Sequence, residues 1–139
     1  MSIKLKKEIL KNIAPFIQEK GFAYDESRSK LNARCFVFSK GDPEPTEEEM
    51  MKFIEGDRSN VPNREEILIG LSRLDQSISV QLRCFLKEPP ITVDLGELTK
   101  ADKQLWFSVA DENKMNKSFK EILELMNLFG WKWFVLPQD

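Results

Sequence analysis

The chain of 139 residues contains no histidine. Histidine is the commonest general base at neutral pH and the commonest ligand for zinc, copper and non-haem iron. Its absence excludes Ser–His, Cys–His and His–carboxylate catalytic arrangements within this sequence. We therefore expect no hydrolase chemistry through a serine or cysteine nucleophile, and we assign no catalytic, cofactor-binding or metal-ligating residue.

Cysteine and glycine are also scarce, with two and six residues respectively. Cys35 and Cys84 lie in strand-like segments, which favours small, reduced core residues over a disulfide or a reactive thiol. Two cysteines do not complete a four-ligand zinc site. The glycines are scattered, and none belongs to a spaced set that would cradle a phosphate group. We therefore expect no cofactor.

Long apolar runs and a strong excess of charge are absent as well. The first residues, MSIKLKKEILKNIAPF, mix Lys and Glu into their apolar positions, unlike a secretory signal, and no segment is apolar for long enough to span a bilayer. The net charge of −2 gives the whole chain no strong attraction to nucleic acid or to an anionic membrane. We predict a cytoplasmic protein that binds neither.

Two amphipathic helices are predicted near the ends of the chain, at residues 3–20 and 113–129, because apolar residues recur there at helical spacing. Pro15 removes one backbone donor and predicts a kink in the first helix. Gly130 predicts the end of the second, since glycine is common just after a helix.

Strands are predicted where apolar and polar residues alternate. A strand is expected at about Ala33–Lys40, and a hairpin follows between residues 65 and 86, with its turn near Asp75–Gln76. QLWFSVADE and WKWFVL predict two further strands, and ITVDLGEL a short strand or an irregular crossing. Residues 1–139 therefore predict a single α+β domain, with an antiparallel sheet of about four to six strands and amphipathic helices mainly on one face.

An acidic stretch occupies residues 42–66, where nine acidic residues oppose three basic ones. Within it, PTEEEMMKFIEG predicts a short helix that Thr46 caps with Glu49 as its capping-box partner. Glu48 and Met51 mark an acidic, methionine-bearing face that suits a protein partner. The alternative is that this helix docks onto its own domain.

Surplus aromatic residues suggest a second candidate surface. If WKWFVL is a strand, its aromatic side chains join others on the sheet face that has no helix to cover it. The candidate surface consists of Phe85, Trp106, Trp131 and Trp133, edged by Arg83. The alternative is that residues 22–32, residues 91–98 or the acidic helix cover these rings.

Carboxylates between Asp94 and Asp102 are the nearest approach to an enzyme-like or ligand-binding cluster. Asp94 and Glu97 are followed by Lys100 and Asp102, a pattern seen where acids and a lysine converge on a metal or a substrate. The same residues are also typical of a loop and a helix start.

The stretch LWFSVADENKMNKSFKEILELMNLFGWKWF, together with an opening helix that ends in EKGF, resembles small bacterial proteins of family 4304 among the domains of unknown function. The resemblance implies a bacterial cytosolic protein of unknown role and supplies no catalytic residues. By analogy with other small bacterial proteins that neutralise toxins by binding them, it suggests an immunity-like role. We therefore expect a non-catalytic protein-binding module with a protein partner or a homodimer. The alternative is an enzyme or small-ligand binder that uses the carboxylates of Asp94–Asp102.

Overall fold

The computed structural model describes residues 2–26, 29, 35–57, 59, 61–72, 74–86 and 92–135. Helices and strands alternate irregularly along the chain, as is typical of an α+β fold. In chain order they are α1 (Ser2–Asn12), α2 (Ala14–Glu19), β1 (Ala23–Tyr24), β2 (Cys35–Gly41), α3 (Glu47–Ile54), β3 (Arg64–Ser72), β4 (Ser77–Cys84), β5 (Thr92–Asp94), a 3₁₀ helix (Leu95–Leu98), β6 (Phe107–Ser108), α4 (Glu112–Leu125), a π-helical segment (Met126–Gly130) and α5 (Trp131–Val135).

The described strands form one antiparallel sheet in the order β1-β2-β3-β4-β5. β6 pairs with the first residues of β4, on the edge where β5 pairs with its later residues. The long central pair is the predicted hairpin: Ile67 lies opposite Leu82, and Ile69 lies opposite Val80. The predicted fold class, an antiparallel sheet with helices, is confirmed.

The core lies between one face of the sheet and the long helices. The alternating residues of β2, β3 and β4 on this face pack against apolar residues of α1, α2 and α4, and both sets are buried. Leu82 and Ile122 are 0% and 1% exposed, as their central places on periodic apolar faces predict. The helices therefore cover this face of the sheet, as expected.

The opposite face of the sheet is also buried in part, but it is mixed in character. Val37 and Leu68 lie opposite each other on it, beside a row of charged and hydroxyl-bearing residues. Glu66 lies opposite Arg83 in the same row and is fully buried. A charge without solvent is stable in a protein only when it is paired and hydrogen-bonded, so this face contains an ion-pair network as well as apolar contacts.

Nearby residues determine two features of the helices: the break between α1 and α2, and the start of α3. α1 ends at Asn12 and α2 begins at Ala14 with Pro15 in its first turn, so the predicted break occurs close to the proline. α3 has both hydrogen bonds of the capping box: the Glu49 amide donates to Thr46 Oγ1 at 3.2 Å, and the Thr46 amide donates to Glu49 Oε1 at 2.9 Å. Both sequence-based predictions are confirmed.

The predicted last strand is wrong, because residues 131–135 of WKWFVL form helix α5. The chain passes from α4 through the π-helical segment into α5, and the Trp131 amide donates to the Met126 carbonyl. Gly130 is helical and does not end the helix. A Cβ atom there would lie 2.5 Å from Met126 Sδ, so glycine permits close packing at a buried position. Leu136 lies outside the described residues.

One other predicted strand is shorter than expected, and a second segment takes one of its two predicted forms, a short strand. QLWFSVADE contributes only the two-residue strand β6, and ITVDLGEL forms β5 followed directly by the 3₁₀ helix. β2 begins at Cys35, and the predicted positions Ala33 and Arg34 lie outside the described residues. Among the helices that the structure describes, none has the length and apolar character needed to cross a membrane.

Candidate functional site

The residues of the predicted aromatic surface do not form one surface. Trp131 and Trp133 lie on α5 and pack against the core on the helix-covered side of the sheet. Arg83 lies on the opposite face, where its Nη1 atom is 3.3 Å from Glu66 Oε1. Phe85 is 3% exposed and therefore offers almost no surface to a partner. The grouping was wrong because it placed α5 in the sheet as a strand.

Trp106 is the most exposed of the three tryptophans. Its side chain is 47% exposed just before β6. It borders a depression of about 330 Å³ that is also lined by side chains of α4, including Lys117 and Glu121. This depression contains charges of both signs, and its aromatic residues are Trp106 and Phe107.

The predicted acidic face of α3 is exposed. No residue of α3 is buried, and Glu48 lies in its exposed first turn. Met51 and Ile54 are 51% and 74% exposed. Met50 and Phe53 are half-buried, so the apolar side of the helix is divided between two partly covered side chains and two exposed ones.

A groove lies where α5 meets the end of α2 and the edge of the sheet. We call it the Trp131 groove. Its volume is about 270 Å³. Its apolar lining consists of Phe22, Trp131, Phe134 and Val135, and its charged lining consists of Lys20, Lys40, Lys132 and Glu65.

The floor of the Trp131 groove is a cluster of tilted aromatic rings. The centroid of Phe22 is 6.0 Å from that of Trp131 and 5.4 Å from that of Phe134. Trp133 stacks edge-on against Phe134 at 5.2 Å, on the same helix. Phe22 is buried, whereas Trp131 and Phe134 are half-buried, so both present part of their rings to a ligand.

Lysine ammonium groups lie directly over this floor. Lys20 Nζ is 5.5 Å from the centroid of Trp131, and Lys40 Nζ is 5.8 Å from that of Phe22. Lys40 Nζ also donates a hydrogen bond to the backbone carbonyl of Lys20 at 3.0 Å, so the Lys40 side chain lies close to Lys20. Contacts between a cation and an aromatic ring at such distances are attractive, so the positive charges are fixed beside an apolar surface.

Asp94 organises the chain around the 3₁₀ helix. Its Oδ1 atom accepts hydrogen bonds from the amides of Gly96 at 2.9 Å and Leu105 at 3.1 Å, and its own amide donates to Glu97 Oε1 at 3.1 Å. Glu97 and Asp102 are exposed. Among the residues that the structure describes, no group of three Cys, Asp or Glu residues is placed to hold a metal ion. Asp94 therefore acts as a structural cap.

Burial raises the pKa of the Asp94 carboxyl group, while the hydrogen bonds from Gly96 and Leu105 partly oppose the rise. Asp94 Oδ2 is buried and has no hydrogen-bond partner. The folded chain therefore binds this proton more tightly than the unfolded chain. The contribution of the Asp94 carboxyl group to the free energy of unfolding therefore falls as the pH rises. The fall occurs between the ordinary aspartate pKa of about 3.9 and the raised pKa of the folded chain.

We expect Asp94→Asn to remove this pH dependence, because an amide cannot ionise but keeps the acceptor oxygen of the cap. The free energy of unfolding of the variant minus that of the parent chain should increase as the pH rises through the same window. Urea denaturation of both chains across the carboxylate range measures this difference, in which all other titrations cancel. A difference that stays constant or decreases with pH would contradict the assignment.

The sequence did not indicate the buried carboxylate of Glu66. Its side chain is fully buried between two guanidinium groups, with Arg64 Nε 2.7 Å from Oε2 and Arg83 Nη1 3.3 Å from Oε1. Arg64 also lies 3.6 Å from Asp25 Oδ2, and Arg83 Nε donates to Thr92 Oγ1 at 3.1 Å. One feature of the sequence could have indicated this pair: Glu66 and Arg83 carry opposite charges and lie on neighbouring strands of the predicted hairpin.

No family model matches the chain, and no curated protein or solved structure is significantly similar to it. Membership of family 4304 therefore stays a prediction.

Proposed function

We propose that this chain is a non-catalytic protein-binding module whose Trp131 groove takes an acidic segment with an apolar side chain. The observation that carries the proposal is the pair of ammonium groups, Lys20 and Lys40, held over the aromatic floor. Such a groove offers a carboxylate a charge-assisted hydrogen bond and offers an adjacent ring or aliphatic chain an apolar contact.

The size and rim of the groove favour a protein segment over a small ligand. Its volume of about 270 Å³ lies just below the range of about 300–1,000 Å³ that is usual for small-molecule pockets. Lys20, Lys40 and Lys132 are exposed, so the groove opens widely to solvent. One side chain of a partner fits this space while neighbouring carboxylates reach the lysines.

The immunity-like role that the analogy with small toxin-neutralising proteins suggests is a proposal of the same class, since it also requires a protein partner. The alternative, catalysis or ligand binding by the Asp94–Asp102 carboxylates, is less well supported. Asp94 uses one carboxylate oxygen to cap the 3₁₀ helix, and Glu97 and Asp102 are exposed rather than directed at a shared cavity.

A peptide titration tests the proposal. The probe is a fluorescein-labelled peptide with one phenylalanine between aspartates and glutamates, and its binding is followed by fluorescence anisotropy. We expect Trp131→Ala to weaken binding by about 2 kcal/mol, or about 30-fold, because a large aromatic residue at the centre of a contact dominates its binding energy. Lys132→Glu should weaken binding about fivefold through rim charge.

Matched controls separate the groove from general charge attraction. Lys117→Glu changes the charge of the chain by the same amount as Lys132→Glu but lies beside Trp106, and it should bind the peptide like the parent chain. A peptide with serine in place of phenylalanine should bind weakly. Equal losses from Lys117→Glu and Lys132→Glu would contradict the proposal, as would tighter binding of a single-stranded oligonucleotide than of the peptide.

A further inference from the structure

We propose that the acidic segment that enters the Trp131 groove is helix α3 of a second copy of this chain. The inference rests on the proposed function, because it names the partner of the same groove. It requires that α3 be formed and accessible, that its charge and apolar face match the groove, and that two copies be able to approach each other.

Helix α3 has no fully buried residue, and its two ends are defined by local signals. Its first turn is closed by the capping box of Thr46 and Glu49, and Gly56, with φ of +99°, follows its end. Met51 and Ile54, three residues apart and therefore on one side of the helix, are both more than half exposed. A capped helix with two exposed apolar side chains can place them in an apolar groove of another molecule.

The charges of helix and groove are complementary. Glu47, Glu48 and Glu49 occupy the first turn of α3, whereas the groove is lined by three lysines and one carboxylate, Glu65, so its positive charges outnumber its negative one. These opposite charges lie beside apolar side chains on both surfaces. The net charge of the chain is only −2, so repulsion between two copies is weak.

The two surfaces lie near each other on each copy. Lys40 lines the groove, and α3 begins at Glu47, seven residues later, so the chain separates them by at most about 25 Å. None of the residues that line the groove belongs to α3 of the same chain. Neighbouring complementary surfaces permit a two-fold dimer in which each helix enters the groove of the other copy.

Charge-reversal complementation tests this arrangement by sedimentation velocity over a wide range of concentration. The groove variant is Lys20→Glu with Lys132→Glu, and the helix variant is Glu47→Lys with Glu48→Lys, which leaves the capping-box residue Glu49 intact. The matched control is Lys117→Glu with Lys120→Glu on the exposed side of α4, which changes the net charge of the chain by the same amount as the groove variant. Far-ultraviolet circular dichroism confirms that each variant folds, and Met51→Ser with Ile54→Ser replaces the helix variant if α3 unfolds.

We expect the parent chain and the control to dimerise, and each reversed variant alone to associate at least about tenfold more weakly, because like charges then face each other. An equimolar mixture of the groove and helix variants should regain a one-to-one dimer, since it still contains one intact helix and one intact groove. Reversed variants that associate like the parent chain would overturn the inference.

The inference and the proposed function fail differently. A parent chain that stays monomeric at all concentrations, but whose groove binds the acidic peptide with the losses expected for Trp131→Ala and Lys132→Glu, overturns the second-copy inference and leaves the protein-binding function in place. A monomeric chain that also fails to bind the peptide overturns both.

Discussion

Replacing Glu66 by glutamine is expected to lower the free energy of unfolding by about 3–5 kcal/mol, because removal of one partner leaves buried charge uncompensated. Arg64 and Arg83 both direct guanidinium nitrogens at this carboxylate, and the Glu66 side chain is fully buried. The Arg64 side chain is only 6% exposed, and its Nη2 atom makes no hydrogen bond within the described structure and lies 3.6 Å from Asp25 Oδ2, a longer separation than the 2.7 Å between Nε and Glu66 Oε2. Water therefore has little access to the Arg64 guanidinium group after the Glu66 carboxylate is removed.

Glu65→Gln is the matched control for this experiment. It removes a carboxylate from the neighbouring residue of β3, whose side chain is only half-buried and lines the Trp131 groove. We expect it to cost less than about 1 kcal/mol, as for ion pairs near the surface. Equilibrium denaturation in urea measures both variants. A loss for Glu66→Gln no greater than that for Glu65→Gln would show that the network does not hold the second face of the sheet.

Truncation of the core at Leu82 or Ile122 to alanine is the second large effect, and each change should cost about 2–5 kcal/mol. Leu82 lies at the centre of β4 between Ile67 on β3 and Val93 on β5, and Ile122 lies on the buried side of α4. Each substitution removes apolar contacts and leaves a cavity that close-packed neighbours refill only in part.

Leu128→Ala, a leucine truncation at an exposed position, provides the control for these core truncations. Leu128 is 50% exposed, so Leu128→Ala should cost much less than either core substitution. Chemical denaturation that finds less than about 1 kcal/mol lost at both Leu82 and Ile122 would contradict the assignment of these side chains to the core.

Elements with strong local signals were predictable from the sequence. The β3–β4 hairpin follows from apolar residues at every second position, and α3 follows from the spacing of Thr46 and Glu49. In both elements the residues that favour the structure lie within a few positions of each other, so the local sequence is sufficient to predict the hairpin and the helix.

The C-terminal segment was not predictable by the same means. Gly130 followed by Trp, Phe and Val matches the end of a helix and the start of a strand. In the fold, tertiary packing overrides these preferences: Gly130 is buried against Met126, and Trp131 Nε1 donates to Asn127 Oδ1 one turn earlier at 3.2 Å. Intrinsic helix preferences amount to about 0.7 kcal/mol or less for ordinary residues and about 1 kcal/mol for glycine, less than the roughly 1.5–3 kcal/mol gained by burying one large apolar side chain.

The Trp131 groove could not be located from the sequence, because its lysines come from three separate parts of the chain. Lys20 follows α2, Lys40 lies near the end of β2, and Lys132 lies on α5. Only the fold brings them together. Trp131 is a candidate partner residue from the sequence, but it lies on helix α5 and not on the predicted strand, so its neighbours differ from those expected.

The most direct test of the central claim is a titration of the ¹⁵N-labelled chain with the acidic phenylalanine peptide, observed through its three indole N–H signals. Trp106→Phe and Trp131→Phe assign the signals. We predict that the Trp131 signal shifts in a saturable way while the Trp106 signal stays in place, since Trp106 lies outside the groove. A saturable shift at Trp106 with none at Trp131, or no shift at either, would contradict the claim that the Trp131 groove is the binding site.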